Sequence, residues 1–390
     1  MASEIKKRDG RVVPFSRQKI IEAVQKAMSR SGETDMESVA KIADEIAAYP
    51  VHVLGVEEVQ DMVEVKLMRY GLTATAREYI TYREQRSRIR ERNSTMNKKI
   101  ESVLTGSDVQ NANANVDERS FSGKKFESAN ILHKELALNA FVRPEVAQAH
   151  RESRLYLHDL SEYAIGEHNC LFADLQRLLR DGFSTRNGDV RPANSFSTAC
   201  QLVAVIFQCQ SQVQFGGVAS AHLDYDLAPY VRKSFFKHYC DGVKYLENRE
   251  LDYRCLPDLS IEDPDYKAYS EKAYRYAMDM LEKEGSQAAQ GLFHNLNTLE
   301  SRAGSQVPFS SINFGTDVSP EGRLVTRWML EASLAGIGQY NRTSIFPISV
   351  FKYKKGVNDK PGTPNYDLRQ LAEKSLSRRI YPKQHWGVAA

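Results

Sequence analysis

The chain has 390 residues, which at roughly 150 per domain is room for two or three domains and a large core. Its 53 basic and 50 acidic side chains leave a net charge of +3, too even to point to a nucleic-acid or membrane partner by bulk charge. With 42% hydrophobic and 26% charged residues, general disorder is excluded. No apolar run reaches the roughly 18 residues of a membrane span, and charges fill the N-terminal stretch where a signal peptide is apolar. The expectation is a soluble, cytoplasmic protein. The cysteines Cys170, Cys200, Cys209, Cys240 and Cys255 include no CxxC pair, so each is by default a buried apolar thiol rather than part of a disulfide or metal framework.

Residues 4–15 hold two short strand-like runs around Asp9-Gly10, a pair that supplies the positive φ angles of a tight hairpin turn. Ser16 stands at an N-cap position, and Ile20, Val24, Ala27 and Met28 follow at helical spacing up to Gly32. A second helix carries Val39, Ile42, Ala43 and Ile46 from about Met36. A third carries Val56, Val59, Met62, Val63 and Leu67 and stops near Gly71, and a fourth begins near Thr73. The hairpin and first helix gather Lys6, Lys7, Arg8, Arg11 and Lys19, which could hold polyphosphate through charge-assisted hydrogen bonds. No GxxxxGK[ST] string is present, so a P-loop is excluded, and charge alone favours a solvated basic hairpin.

Three separated strings, IKKRDGRVVPFSRQKI, VEEVQDMVEVKLM and TAREYITYR, occur in the order of an ATP-cone, and residues 1–92 resemble that regulatory domain. ATP-cones cap ribonucleotide reductases and also occur in their transcriptional repressor. The resemblance implies binding of ATP or dATP, with Lys7, Arg8 and Lys19 facing the phosphates, Arg11 beside them, and Gln60 and Arg83 as weaker carry-overs. The repressor alternative needs a DNA-binding element ahead of the cone, and only three residues precede Glu4, so no DNA partner is expected.

Residues 93–119 read as a linker. The Arg-rich stretch before it is interrupted by Glu84 and Glu91 and lacks interleaved aromatics, which suits a solvated helix end better than a nucleic-acid stripe. The NANANVD string is loop-like.

Residues 120–390 have an α/β pattern. Helical stretches at 129–141 and 145–154 lead to LYLHDL, a strand-like run ending in His158-Asp159. The segment STACQLVAVIFQCQSQVQFGG is apolar nearly all round and predicts a buried helix with Cys200 and Cys209 in the core. An amphipathic region spans 264–301. VPFSSINFG and SIFPISVFKY have strand composition, with a helix at 321–336 between them. Strand, helix, strand argues a parallel sheet covered by helices, and pattern alone does not separate a barrel from an open sheet. Cys170 follows Glu167, His168 and Asn169, a setting that could favour a nucleophilic or redox thiol, although an inert thiol is the commoner case. His158 is likewise more often structural than catalytic.

Together with NANANVDE, YLHDL, HNCLFADL and GTPNYDLRQLAEKSLSRRIYP, these strings keep the order of the anaerobic (class III) ribonucleoside-triphosphate reductase, and the chain resembles that family. The resemblance implies an ATP-cone followed by an incomplete ten-stranded α/β barrel of the glycyl-radical type. It implies radical reduction of ribonucleoside triphosphates, in which a thiyl radical takes the 3′ hydrogen and a second thiol supplies reducing equivalents. Cys170 matches that second cysteine; Asn169 and Ser197, Thr198 and Ala199 match a substrate floor; His158 matches the second histidine of a His-x-His-Asp string. Tyr156 replaces the first histidine, which opens a thiol-based reductant as the alternative to formate. The thiyl-cysteine loop, the zinc site and the glycyl-radical segment would follow the RRIYP string and are expected outside this sequence, so no metal ligands are assigned within it. The family also implies further deoxynucleotide effectors, a radical-SAM activating enzyme and a homodimer or higher oligomer; a separate C-terminal half is a further candidate partner, and the sequence leaves a split gene and a truncated product both open. The alternative is a non-catalytic fragment that binds nucleotide or dimerises and regulates or complements a reductase.

Overall fold

The structure, a computed structural model, describes residues 2–8, 10–105, 116, 120–166, 168–251 and 259–386. It divides into two compact units, Met1–Glu101 and Ser102–Ala390. Asp9, Glu167, Cys255 and, apart from Val116, the NANANVD string lie outside the described residues.

In the first unit β1 (Glu4–Lys6) and β2 (Val12–Pro14) pair antiparallel as the hairpin. A strand the sequence did not announce, β3 (Val53–Gly55), joins β1 in parallel. Four helices follow the expected positions: α1 (Arg17–Ser31), α2 (Met36–Ala47), α3 (Val56–Arg69) and α4 (Thr73–Thr105). Ser16 occupies the N-cap of α1 without a side-chain cap bond, and Gly32 ends that helix at φ 78°, donating its N–H to Met28 O. The core is the periodic set read from sequence, with Val24, Val39, Ile42, Ala43, Ile46 and Leu67 fully buried. Glu33 caps α4 from another element, accepting from Thr75 N at 2.9 Å and Ala74 N at 3.3 Å. Hydrogen bonds from Thr75 hold its carboxyl below the usual range. Because α4 continues to Thr105, residues 93–105 are helix where a linker was expected.

In the second unit α5 (Phe121–Leu136) runs into a π-helical turn at Ala137–Phe141 and is followed by α6 (Pro144–Arg151). LYLHDL then forms turns rather than a strand: Asp159 takes a left-handed φ of 51°, and Glu162 N donates to Asp159 O at 2.9 Å. Next come β4 (Leu171–Phe172), α7 (Leu175–Asp181), the small hairpin β5 (Phe183–Thr185) and β6 (Gly188–Val190), and α8 (Phe196–Gln210). After β7 (Val218–Ser220) and α9 (Leu223–Glu247), the amphipathic region is split by an extended Ser270 into α10 (Pro264–Tyr269) and α11 (Glu271–Thr298). The described chain closes with β8 (Ser310–Phe314), α12 (Pro320–Ala335), β9 (Ile348–Tyr353), α13 (Tyr366–Arg378) and β10 (Lys383–Trp386).

The main sheet runs β10-β9-β8-β7-β4, and every pairing in it is parallel. In β8 and β9, residues Ser310, Ile312, Phe314, Ser349, Phe351 and Tyr353 are buried, and those between them are half-buried. That alternation places one sheet face against helices and leaves the other less covered. The packed layer is α8, α9, α11 and α12, where the Trp328 ring lies 5.0 Å from Phe196. A side chain at Gly285 would sit 2.4 Å from the Trp328 indole, so α11 and α12 approach this closely only because that residue is glycine.

A buried carboxylate fixes the loop after β8. Asp224 accepts the N–H groups of Gly315, Thr316 and Asp317, each at 2.9 Å, while Asn358 and Asn365 donate to Gly315 O from the other side. Burial raises the Asp224 pKa and the three N–H bonds oppose that shift. Asp224→Ala strands three donors, two of them buried, and is expected to cost about 3 kcal/mol or more. Asp224→Asn, which keeps one acceptor oxygen, is expected to cost about half as much. Urea unfolding followed by circular dichroism measures both, and a loss under about 1 kcal/mol for the alanine variant contradicts the assigned role.

Candidate functional site

Two places collect the residues singled out from sequence, one in each unit. In the first, the hairpin brings Arg8 over the first turn of α3. Arg8 Nε is ion-paired with Glu57, and Arg8 Nη2 donates to Gln60 Oε1 at 3.1 Å. The other Glu57 oxygen accepts from Arg83 Nη2 at 2.8 Å, and Arg83 Nη1 reaches Asp61 at 2.5 Å and Glu64 at 2.8 Å. The hydrogen bond from Arg83 draws the Glu57 carboxyl below the ordinary carboxylate range; burial opposes this and Arg8 adds to it. Arg8, Gln60 and Arg83 therefore belong to one network, with Glu57 at its centre.

Lys19 lies elsewhere, exposed on α1 along a cleft of about 500 Å³ that also contains Lys26, Arg30, Tyr79 and Tyr82. Burial pushes the Tyr79 phenol up to about 12, so its hydroxyl stays a neutral donor. Tyr82 has the Arg30 and Arg86 guanidiniums 5.8 and 6.0 Å from its ring centroid. Lys7 N and Arg11 O close the hairpin at 2.8 Å, which keeps Lys7, Arg8 and Arg11 around one turn.

In the second unit Cys170 is exposed immediately before β4, where the expectation of a buried thiol fails. Its Sγ accepts from Gly217 N at 3.2 Å and donates to Asn169 Oδ1 at 3.2 Å. The contact depends on Gly216, where a Cβ would fall 1.9 Å from Asn169 O. The thiol opens on a cavity of about 270 Å³ lined by Phe172, Ala219, Phe309, Ser311 and Ile348. Cys209 is also exposed, contrary to its core assignment, because nine residues turn it away from the buried face holding Cys200. Burial pushes the Cys200 thiol far up and the Cys240 thiol up to about 11.

A residue that the sequence reading passed over, Arg302, holds this corner together. Its Nη1 donates to Gly216 O at 3.0 Å, its Nη2 to Phe215 O, and its guanidinium lies 4.0 Å from the Phe309 ring centroid. Burial draws it down to about 10, opposed by Glu162 and Cys170. No acid of the described residues forms an ion pair with it. Nothing local in the string ESRAGSQ signals a buried cation; the one cue is an arginine in a short helix-to-strand loop.

His158 sits in an adjoining cleft of about 410 Å³ with His150, Tyr156, Glu162 and Arg302, and Phe309 borders both cavities. Its imidazole is exposed and 2.5 Å from Asp159. Ser197, Thr198 and Ala199 are not brought to Cys170. They form the first turn of α8, whose far end leads into the Gly216-Gly217 corner, and fifteen residues of helix span roughly 22 Å. Ser197 N is bound there by Glu284 at 3.0 Å and Thr198 N by the Ser195 cap at 3.1 Å, while Ala199 is fully buried. Asn169 is thus the predicted floor residue that contacts the thiol directly.

The chain matches the family profile described as anaerobic ribonucleoside-triphosphate reductase over residues 112–386, and the ATP cone domain over residues 3–88. It is similar to the anaerobic ribonucleoside-triphosphate reductase of Salmonella typhimurium, 33% identical over 389 residues, covering 98% of this chain and 51% of that protein. The enzyme of the same name from Enterobacteria phage T4 is 32% identical over 291 residues, covering 74% of this chain and 44% of that one. A crystal structure of the anaerobic ribonucleotide reductase from Thermotoga maritima aligns with a TM-score of 0.49 at 15% identity, covering 79% of this chain and 50% of that chain. The chain spans about half the length of the curated relatives it matches. Matched over residues 112–386 and 3–88 by these two profiles, the chain belongs to the anaerobic ribonucleoside-triphosphate reductase family and carries an ATP cone domain in its N-terminal unit.

Proposed function

We propose that this chain supplies the effector-sensing domain and the thiol-bearing part of the substrate site of an anaerobic ribonucleoside-triphosphate reductase. The observation that carries this reading is Cys170, an exposed thiol seated by a backbone N–H and an amide oxygen at the start of a parallel strand, over a cavity. A redox thiol must be reachable and aimed, and a core cysteine is neither. In this reading Cys170 delivers reducing equivalents to the ribose, Asn169 orients both the thiol and a substrate hydroxyl, and His158 with Asp159 handles protons in the neighbouring cleft. A glycyl radical outside these residues supplies hydrogen-abstracting chemistry, and an activating enzyme of the radical-SAM class generates it. A zinc site, a homodimer or higher oligomer, deoxynucleotide effectors at a second site and a cytoplasmic location complete the proposal.

For the cone, ATP and dATP are the proposed ligands, held by Lys7, Arg8, Arg11 and Lys19. Calorimetric titration of the full chain with each nucleotide should give a saturable heat. Lys7→Ala/Lys19→Ala should weaken binding at least about tenfold, since each charge-assisted phosphate contact contributes about 1.5–3 kcal/mol. No heat with the unaltered chain, or equal affinity in the variant, removes the assignment.

For the reductase unit, iodoacetamide labelling of the folded chain with peptide mass spectrometry should modify Cys170 and Cys209. It should leave Cys200 and Cys240 unmodified, because burial keeps those two protonated and shielded at neutral pH. Cys200 labelling as fast as Cys170 under native conditions overturns the placement of the thiol.

A further inference from the structure

The cations assigned to effector phosphates are not equivalent. Lys7 and Lys19 form no ion pair with the described residues, whereas Arg8 is occupied by Glu57 and Gln60. Glu57 lies in the first turn of α3 and is also bound by Arg83 at 2.8 Å. The side chain of Glu57 is 48% exposed and that of Arg8 38%, so their pair is open to solvent and to an incoming anion. Glu58, next to it, caps the same helix through Gly55 N at 2.7 Å, leaving Glu57 free of that duty.

We propose that Glu57 is an internal competitor for the effector: its carboxylate and the nucleotide's phosphate oxygens contend for the Arg8 guanidinium, so binding opens the Arg8–Glu57 pair. This rests on the reading of the hairpin cations as phosphate ligands. The exchange conserves charge pairing at both ends. Arg8 trades one oxyanion for another, and Glu57 keeps Arg83 and the favourable field of the α3 N-terminus. Since an exposed ion pair contributes little, the competition lowers effector affinity by a small factor rather than abolishing it. It also ties three elements together, because the hairpin, α3 and α4 meet at Arg8, Glu57 and Arg83. A ligand that removes Arg8 from Glu57 frees the hairpin from α3 while Arg83 keeps α3 tied to α4.

Glu57→Gln keeps the side chain's shape and removes its charge. Calorimetric titration of the full chain with ATP should show binding about three- to fivefold tighter in Glu57→Gln than in the unaltered chain. Removing any negative charge near an anionic ligand tightens binding somewhat, so the decisive measurement is a double-mutant cycle with Arg8→Ala. Competition predicts that Glu57→Gln gains nothing once Arg8 is absent. Tightening of the same size in the Arg8→Ala background, or no tightening in the Arg8-containing chain, overturns the proposal. Absence of ATP binding by the unaltered chain overturns the effector reading itself and this inference with it.

Discussion

The geometry of the second unit depends on one close approach, the backbone of Gly216 against Asn169. With a Cβ only 1.9 Å from the Asn169 carbonyl oxygen, no other residue type lets the segment leading into β4 lie beside the segment leading into β7. From that contact follow the parallel pairing of Leu171 with Val218, the Gly217 N–H aimed at Cys170 Sγ, and the opening of the thiol toward a cavity instead of the core. The edge strand is two residues long, too short to hold by ladder bonds alone. Arg302 compensates by gripping two consecutive carbonyls of the facing corner.

What the sequence revealed and what it concealed divide along the range of the interactions concerned. The hairpin at Asp9-Gly10, the stop at Gly32 and the buried faces of α1, α2 and α3 rest on neighbours within a few residues, where turn chemistry and a 3.6-residue period write the answer locally. β3 and β4 have three and two residues and exist as strands only because β1 and β7 stand beside them, so no period announces them. LYLHDL alternates like a strand but pairs with no strand among the described residues, and Asp159 folds it into turns. The cysteine at 170 was legible as unusual through its His-Asn neighbours. Its exposure was not, since that follows from Gly216, forty-six residues along the chain. Ser197 to Ala199 lie in the first turn of the fifteen-residue α8, a placement that the motif order alone does not give.

The sheet of the second unit is held at opposite ends by buried charges that take backbone groups as partners. Beyond the end of β8, Asp224 collects three N–H groups; ahead of the start of β7, Arg302 takes two C=O groups. Where parallel strands run out, their terminal N–H and C=O groups lose ladder partners, and a buried carboxylate at one end and a guanidinium at the other replace them. Neither charge uses an opposite side-chain charge among the described residues, so both are locked by geometry and cannot be exchanged for a solvent ion without opening the core.

The first unit makes the opposite choice. The charges around Arg8 are paired side chain to side chain, and Glu57, Asp61 and Arg8 are substantially exposed. Opening such a pair costs little and another anion can close it again, whereas breaking a buried charge from its backbone partners costs several kcal/mol, on the order of 3–5. The backbone that seats Cys170 has the second kind of support, and the exchange proposed for Arg8 needs the first. Burial thus separates two kinds of charge: the exposed ion pairs around Glu57 are open to exchange with a solvent anion, and the enclosed Arg302 is held by backbone carbonyls.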